Sequence, residues 1–282
     1  MRRLILFSLI LLFTGSLAGA QKVFVLPTKD NGPDFEFDVN DAFFNVSVPT
    51  ITMVEAGGIK GAAPAVIICP GGGYLSVGKN LEGFNVANYL ADRGITCFVL
   101  KYRTRHLGNT KEKSLSRQKE LMREIMGDSF TPEGQNAADN AYEDAIAAME
   151  LVRSRASEFN VDPDRVGIVG FSAGALVAMR VELSHTEASA PNVVAPIYLW
   201  RQGDFTVPED AAPLFLSVPQ NDLCPTEMSY KLYKGWSEKR LPAEIHVLSG
   251  AYHGHGYQGG TVPSDVWIEL FYSFLRKVKF VD

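Results

Sequence analysis

Short apolar runs that end in glycine or proline alternate with segments of helical periodicity along this chain, and that alternation confines it to folds built on a mostly parallel sheet. Residues 65–69 (AVIIC) run into Pro70-Gly71-Gly72-Gly73, residues 84–93 follow with apolar positions at helical spacing, and residues 95–100 (ITCFVL) form the next apolar run. Strand, helix and strand at this separation predict a right-handed parallel crossover. From Asn136 the residues Ala141, Ala145, Ala148, Met149 and Val152 recur at helical intervals up to Phe159, and Asp162-Pro163-Asp164 ends that helix. Residues 166–169 (VGIV) are a strand, and residues 175–183 are a helix or a buried strand, the small side chains favouring a helix close to the sheet. Strands at 193–199, 214–218 and 244–248 and helices at 227–239 and 266–278 complete the pattern. The segment at 43–54, interrupted by Pro49, reads as two short strands at a sheet edge, after a polar leader rich in Asp and Pro. The prediction is a single α/β domain.

The 282 residues leave room for one large domain or two small ones, and the unbroken alternation selects one. With 46% hydrophobic residues, 21% charged residues, 25 Gly and 3 Cys, the chain is neither collagen-like, disulfide-scaffolded nor disordered. A formal net charge of -5 gives no overall attraction to phosphate backbones, so nucleic acid is excluded as the expected partner. Residues 101–123 hold eight basic side chains against two acidic ones, and the apolar pattern weakens between Tyr102 and Gln135. This stretch, 102–135, is expected to be a surface insertion, either a solvated helical face or a lid over neighbouring strand ends.

The first twenty residues read as export machinery. Arg2 and Arg3 precede an almost unbroken apolar run from Leu4 to Phe13, and Ala18-Gly19-Ala20 supplies small residues for cleavage before Gln21. The apolar run is shorter than the roughly 20 residues that span a bilayer, so no stable membrane anchor is expected. Gln21 stands where a lipid anchor would need Cys. A periplasmic or secreted mature chain, residues 21–282, follows. Export permits disulfides, yet Cys69 and Cys97 sit inside apolar strands and are expected to be buried thiols, with a bridge between neighbouring strands as the alternative. Cys224 stands alone in a loop and lacks the glycine-framed turn of a nucleophile.

Gly170-Phe171-Ser172-Ala173-Gly174 matches G-x-S-x-G, with an apolar strand before it and a small-residue helix after it. In that setting a sharp turn holds the serine hydroxyl above the strand end, with glycines relieving the crowding around it. Serine attacks only when an imidazole takes its proton and a carboxylate orients that imidazole, and the chain order of this fold is Ser, acid, His. His246, inside a strand, and His185, at a helix end, read as structural. His253 and His255 lie in the glycine-rich loop SGAYHGHGYQGG after the last strand, and Asp222 lies in the loop after residues 214–218. Acyl transfer also needs donors aimed at the oxyanion, and the backbone N–H groups of Gly72, Gly73 and Ala173 are the candidates.

Two other motifs compete. Residues 73–80 (GYLSVGKN) nearly spell the phosphate-binding loop G-x-x-x-x-G-K-[ST], but Asn80 replaces the hydroxyl that would ligate magnesium. His253-Gly254-His255 could chelate a metal, but no third ligand stands nearby in the sequence. No metal and no cofactor are expected.

CPGGGY, ITCFVLKYR, DPDRVGIVGFSAG, PQNDLCP and HVLSGAYHGHG together resemble the bacterial acetyl xylan esterase and feruloyl esterase-like branch of the α/β-hydrolase superfamily, from about Asn45 to the C-terminus. The resemblance implies an α/β-hydrolase fold, with a mostly parallel central sheet flanked by helices. It also implies an exported, cofactor-free serine esterase acting on small-molecule or polysaccharide esters such as acetylated xylan. It chooses His253 as the base, because the family loop G-G-H-G-F-G falls on it without gaps. Tyr252 and Ala175 stand where glycines are common in the family, and the region 102–135 is longer than usual. The alternatives on the same residues are a serine peptidase or acyltransferase, and a non-catalytic carbohydrate-binding relative.

Overall fold

The computed structural model describes residues 22–29, 35–125, 131–200, 203–222 and 226–282. The segment expected to direct export, residues 1–20, and Cys224 therefore lie outside the described residues. In chain order the elements are β1 (Lys22–Val25), β2 (Phe37–Val39), β3 (Ala42–Phe44), β4 (Thr50–Val54), β5 (Ala63–Cys69), β6 (Ser76–Gly78), α1 (Asn85–Ala91) and β7 (Thr96–Lys101). There follow α2 (Lys111–Ile125), α3 (Pro132–Ser154), α4 (Ala156–Phe159), β8 (Val161–Phe171), α5 (Ala173–Ser184), β9 (Val194–Ile197), β10 (Leu214–Pro219), α6 (Thr226–Glu238), β11 (Ala243–Leu248) and α7 (Val266–Lys277).

Eight strands form one sheet in the order β1-β4-β7-β5-β8-β9-β10-β11. Pairing is antiparallel at β1–β4 and β4–β7 and parallel from β7 to β11. The central strands are apolar throughout because both faces are covered. Side chains alternate between two cores: Ala65, Ile67 and Cys69 of β5 pack with α3, α5 and α6, whereas Val66 and Ile68 pack with α1 and α7. Chain direction turns around β5, which lies between β7 and β8, and the crevice at the carboxyl ends of such a switch point is where ligands bind in open parallel sheets.

The structure corrects several boundaries. The strands expected at the edge in 43–54 separate: β3 joins β2 and β6 in a small antiparallel sheet, and β4 lies inside the main sheet. The edge is β1, four residues within the polar leader, too short and too exposed for its alternation to stand out. The long helix starts at Pro132, where the Thr131 hydroxyl accepts the Gly134 N–H at 3.3 Å, and breaks before α4. Asp162-Pro163-Asp164 belongs to β8, which shifts register against β5 between Ala63 and Ala65 and so tolerates a proline. Residues 175–183 are helical, as the small side chains favoured. The 102–135 region contains α2. Cys69 and Cys97 are buried free thiols on adjacent strands, where Cys97 pairs with Val66 and not with Cys69. No helix among the described residues is long and apolar enough to cross a membrane.

Glu182 of α5 is fully buried, and its Oε1 accepts the Ala212 N–H at 2.9 Å. Burial pushes this carboxyl from 4.5 up to about 8. Between those values the unfolded chain releases a proton that the folded chain keeps, so the folded state binds more protons and stability falls as pH rises. Glu182→Gln is expected to remove that decline. Thermal denaturation from pH 5 to pH 9 should show the variant gaining on the wild type as pH rises; parallel curves would refute the assignment.

Candidate active site

Loops at the carboxyl ends of β5, β8, β9 and β11 meet in one crevice, and the loop after β10 places Asp222 behind His253. At the end of β8, Ser172 has φ 52 and ψ -115, a strained backbone for a residue with a side chain. The strain is imposed by close packing on both sides. A Cβ on Gly170 would lie 2.0 Å from the Gly174 carbonyl oxygen, and one on Gly174 would lie 2.0 Å from that of Cys69. Only glycine lets α5 start so near the ends of β5 and β8. The turn is fixed by the Ser172 N–H donating to Ile197 O at 3.1 Å and by Ser172 O accepting from the N–H groups of Ala175 and Leu176.

The hydroxyl of half-buried Ser172 lies 2.8 Å from Nε2 of His253, and Nδ1 of His253 lies 2.8 Å from Oδ1 of Asp222. A serine O–H donating to Nε2 and an Nδ1–H donating to a carboxylate satisfy all three groups in one tautomer. The Asp222 side chain is fully buried and that of His253 is 17% exposed, so the imidazole meets the pocket while its orienting carboxylate is shielded from water. Ser172 and Asp222, expected from chain order, and His253, chosen by the resemblance, are thus brought together.

His255 is not part of this line. It is fully buried, its Nδ1 lies 3.0 Å from the Gly256 carbonyl, and burial pushes its imidazole below the ordinary range. The His255 Nδ1–H therefore donates to the backbone, and the ring packs edge-on against Tyr198 with centroids 4.9 Å apart. His185 contacts Asp210 and the Glu182 carbonyl, and His246 contacts Glu244. Among the described residues no group of three His, Cys, Asp or Glu side chains could hold a metal ion.

Gly72, Gly73 and Ala173 line the same cavity, of about 200 Å³, as Ser172 and His253. Gly72 has φ 136, and a Cβ there would lie 2.0 Å from Ser76 O, so the loop needs glycine to close. Its carbonyl accepts from the N–H groups of Leu75 and Ser76, while the Gly71 N–H donates to Glu82. Ala173 is the first residue of α5, and N–H groups of a first helical turn have no partner inside the helix. The segment 73–80 that resembled a phosphate loop is instead partly β6, paired with β3.

The remaining walls come from residues that motif reading missed. Gln118, Met122 and Ile125 of α2 border the cavity, so the 102–135 region reaches the site. Gly73 is overlaid by Ile125 and Met122, whose side chains would lie 3.2 and 3.5 Å from a Cβ at that position. Trp200, after β9, packs edge-on against His253 with centroids 5.9 Å apart. Glu82 and Tyr198 stand at the base, and burial pushes both the Glu82 carboxyl and the Tyr198 phenol up. One signal could have found them: Glu82 is a lone acid just after the glycine loop, and Tyr198 ends a strand at the edge where the other site residues gather.

Residues 132–212 match a family model described as an alpha/beta hydrolase fold. The acetyl ester-xyloside bifunctional hydrolase of Caldicellulosiruptor lactoaceticus superposes with a TM-score of 0.64 at 21% identity, covering 83% of this chain and 90% of that one. This chain has the α/β-hydrolase fold. Esterase 2 of Thermogutta terrifontis, in the form phosphoramylated by tabun, also superposes on it, with a TM-score of 0.66 at 18% identity over 93% of this chain and 96% of that one. In sequence, 128 residues are 28% identical to an acetylxylan esterase of Xylanibacter ruminicola, covering 45% of this chain. The match spans about a fifth (21%) of that relative's length. The G-x-S-x-G turn that follows β8 holds Ser172.

Proposed function

We propose that this protein is an exported serine carboxylesterase that removes short acyl groups, acetyl above all, from plant-wall polysaccharide such as xylan. The observation that carries the reading is the hydrogen-bonded line from Ser172 Oγ to His253 Nε2 and from His253 Nδ1 to buried Asp222, opening into a cavity shared with Gly72, Gly73 and Ala173. Ser172 Oγ attacks the ester carbonyl as its proton passes to His253 Nε2. The N–H groups of Gly72, Gly73 and Ala173 hold the oxyanion, and Asp222 holds the imidazolium. Collapse breaks the bond to the alcohol oxygen, which takes the proton from His253. Water, deprotonated by the same imidazole, then attacks the acyl-serine; the bond to Ser172 Oγ breaks as Oγ takes that proton back from His253, and the acid departs.

A cavity of about 200 Å³ walled by Met122, Ile125, Leu176 and Trp200 is smaller than the usual range for drug-sized ligands and suits a short acyl group. The names of the similar proteins, an acetylxylan esterase and an acetyl ester-xyloside hydrolase, support acetyl and a sugar alcohol. Residues 102–135, through α2, act in this reading as the gate to the acyl side. Residues 1–20 direct export, and a secreted product beginning at Gln21 is the expected result of N-terminal sequencing.

The test is turnover of p-nitrophenyl acetate and acetate release from acetylated xylan by the mature protein beside Ser172→Ala. Both activities are expected, and both should vanish with Ser172. Amide turnover in place of ester turnover would favour a peptidase, and an inert protein that binds polysaccharide would leave only the scaffold reading. Shortening 102–135 should broaden the acyl range; an unchanged preference would remove the gate from the proposal.

A further inference from the structure

Two loops of the site are joined through a chain of hydrogen bonds that no part of the triad requires. Glu82 Oε2 accepts the Gly71 N–H at 2.8 Å, at the root of the glycine loop. Glu82 Oε1 accepts the Tyr198 O–H at 2.6 Å, and the same phenol oxygen accepts the Gly256 N–H at 3.1 Å, three residues after His253. Each donor meets one acceptor, and a carboxylate is the acceptor that strengthens both of its bonds.

The backbone is shaped to bring these groups together. Glu82 sits in a wide turn over Asn80–Phe84, closed by bonds from the Phe84 N–H to Lys79 O at 2.9 Å and from the Asn85 N–H to Asn80 O. Such five-residue turns are rare and concentrate at functional sites. Tyr198 is fully buried and has φ 39, which a bulky side chain keeps only where its surroundings over-determine it. Here they are the bond from its N–H to Ser217 O at 2.7 Å and the two bonds at its hydroxyl. Its ring lies edge-on to His253, with centroids 5.1 Å apart. A bond from the Tyr257 N–H to Leu81 O at 2.7 Å ties the histidine loop to the same turn but does not reach Gly71.

We infer that Glu82 and Tyr198 are positioning residues that fix the distance between the glycine loop and the imidazole of His253, so that the oxyanion donors and the base address one reacting carbonyl. The inference rests on the serine esterase reading for its catalytic consequence, though not for the geometry. Gly71 is held from one side of the turn and Gly256 from the other, so a loosened phenol or carboxylate frees Gly71 from Gly256, while the Tyr257–Leu81 and Asn85–Tyr257 bonds still hold the histidine loop to the turn. Misplacement of about 1 Å at such a site costs about a hundredfold in rate.

Tyr198→Phe removes one oxygen and keeps the ring that fills the core. Glu82→Gln keeps the shape but turns one acceptor into a donor. Each is expected to lower kcat for p-nitrophenyl acetate by about 10- to 100-fold, with KM changed by no more than about threefold. The double variant should lose little beyond either single one, because both break the same chain. Histidine-selective 15N labelling supplies a readout that needs no turnover: the low-field Nδ1–H resonance of the His253–Asp222 bond should broaden or shift in Tyr198→Phe with the thermal midpoint kept. Wild-type kcat and an unmoved resonance in both single variants would overturn the inference. If the wild type hydrolyses no ester, the esterase reading fails by itself, and the resonance alone decides whether Glu82 and Tyr198 hold the imidazole.

Discussion

Replacing His253 by alanine is expected to lower kcat for p-nitrophenyl acetate by about 10⁴- to 10⁶-fold, as far as Ser172→Ala does, with the double variant losing no more. The two groups act as one unit. Without Nε2 at 2.8 Å the Ser172 hydroxyl keeps its proton, and without the hydroxyl the imidazole has nothing to activate. Residual turnover comes from the oxyanion donors and substrate binding alone. His255→Ala is the informative contrast. Its ring is fully buried against Tyr198 and its Nδ1–H is spent on the Gly256 carbonyl. Its loss should leave kcat within about tenfold of wild type and cost about 1–3 kcal/mol of stability through the space it vacates. Steady-state kinetics and urea denaturation of the three variants decide the matter. A dead His255→Ala beside an active His253→Ala would move the base by two residues and break the reading of the loop.

Gly174→Ala is expected to cost at least about 3 kcal/mol and most of the activity together. The added Cβ would stand 2.0 Å from the Cys69 carbonyl oxygen and 2.5 Å from that of Pro70, both backbone atoms of the strand that leads into the glycine loop. Neither can rotate away, so α5 must retreat from β5, and Ser172 and the Ala173 N–H move with it. Gly58→Ala provides the control. Gly58 has φ +69 and open space around it, so alanine there costs only the left-handed strain, about 1–2 kcal/mol, and leaves activity intact. Urea midpoints at unchanged slope, with activity measured on the same preparations, separate the two. Equal costs at both positions would show that the contact with Cys69 is not what requires glycine.

Legibility of the fold varied along the chain for physical reasons. Wherever a strand is buried on both faces, as in β5, β7 and β10, the apolar run marks it in the sequence within a few residues. Short strands with one wet face, β1 and β2, carry too few alternations to rise above a polar leader. The helix α2 stood only as one of two alternatives for 102–135, because it packs through few of its faces: Leu121 is buried, while most of its first turns are charged and exposed. Asp162-Pro163-Asp164 misled because turn chemistry and a bulged strand start use the same residues, and only the register against β5 separates them.

At the site the division is similar. The amino-acid sequence marked the sharp turn at Ser172, whose flanking glycines are demanded by backbone atoms 2.0 Å away, and the chain order Ser172, Asp222, His253, which follow β8, β10 and β11. It also marked the glycine loop. Chain order left two histidines two residues apart, the family resemblance favoured His253, and the tertiary structure shows why it faces Ser172: the loop after β11 lies across Tyr198 with His255 buried. The tertiary structure alone placed Met122 and Ile125 over Gly73, and joined Glu82 to Tyr198 across 116 residues. Local spacing encodes what a single turn must do; contacts between distant loops depend on where the sheet brings their ends.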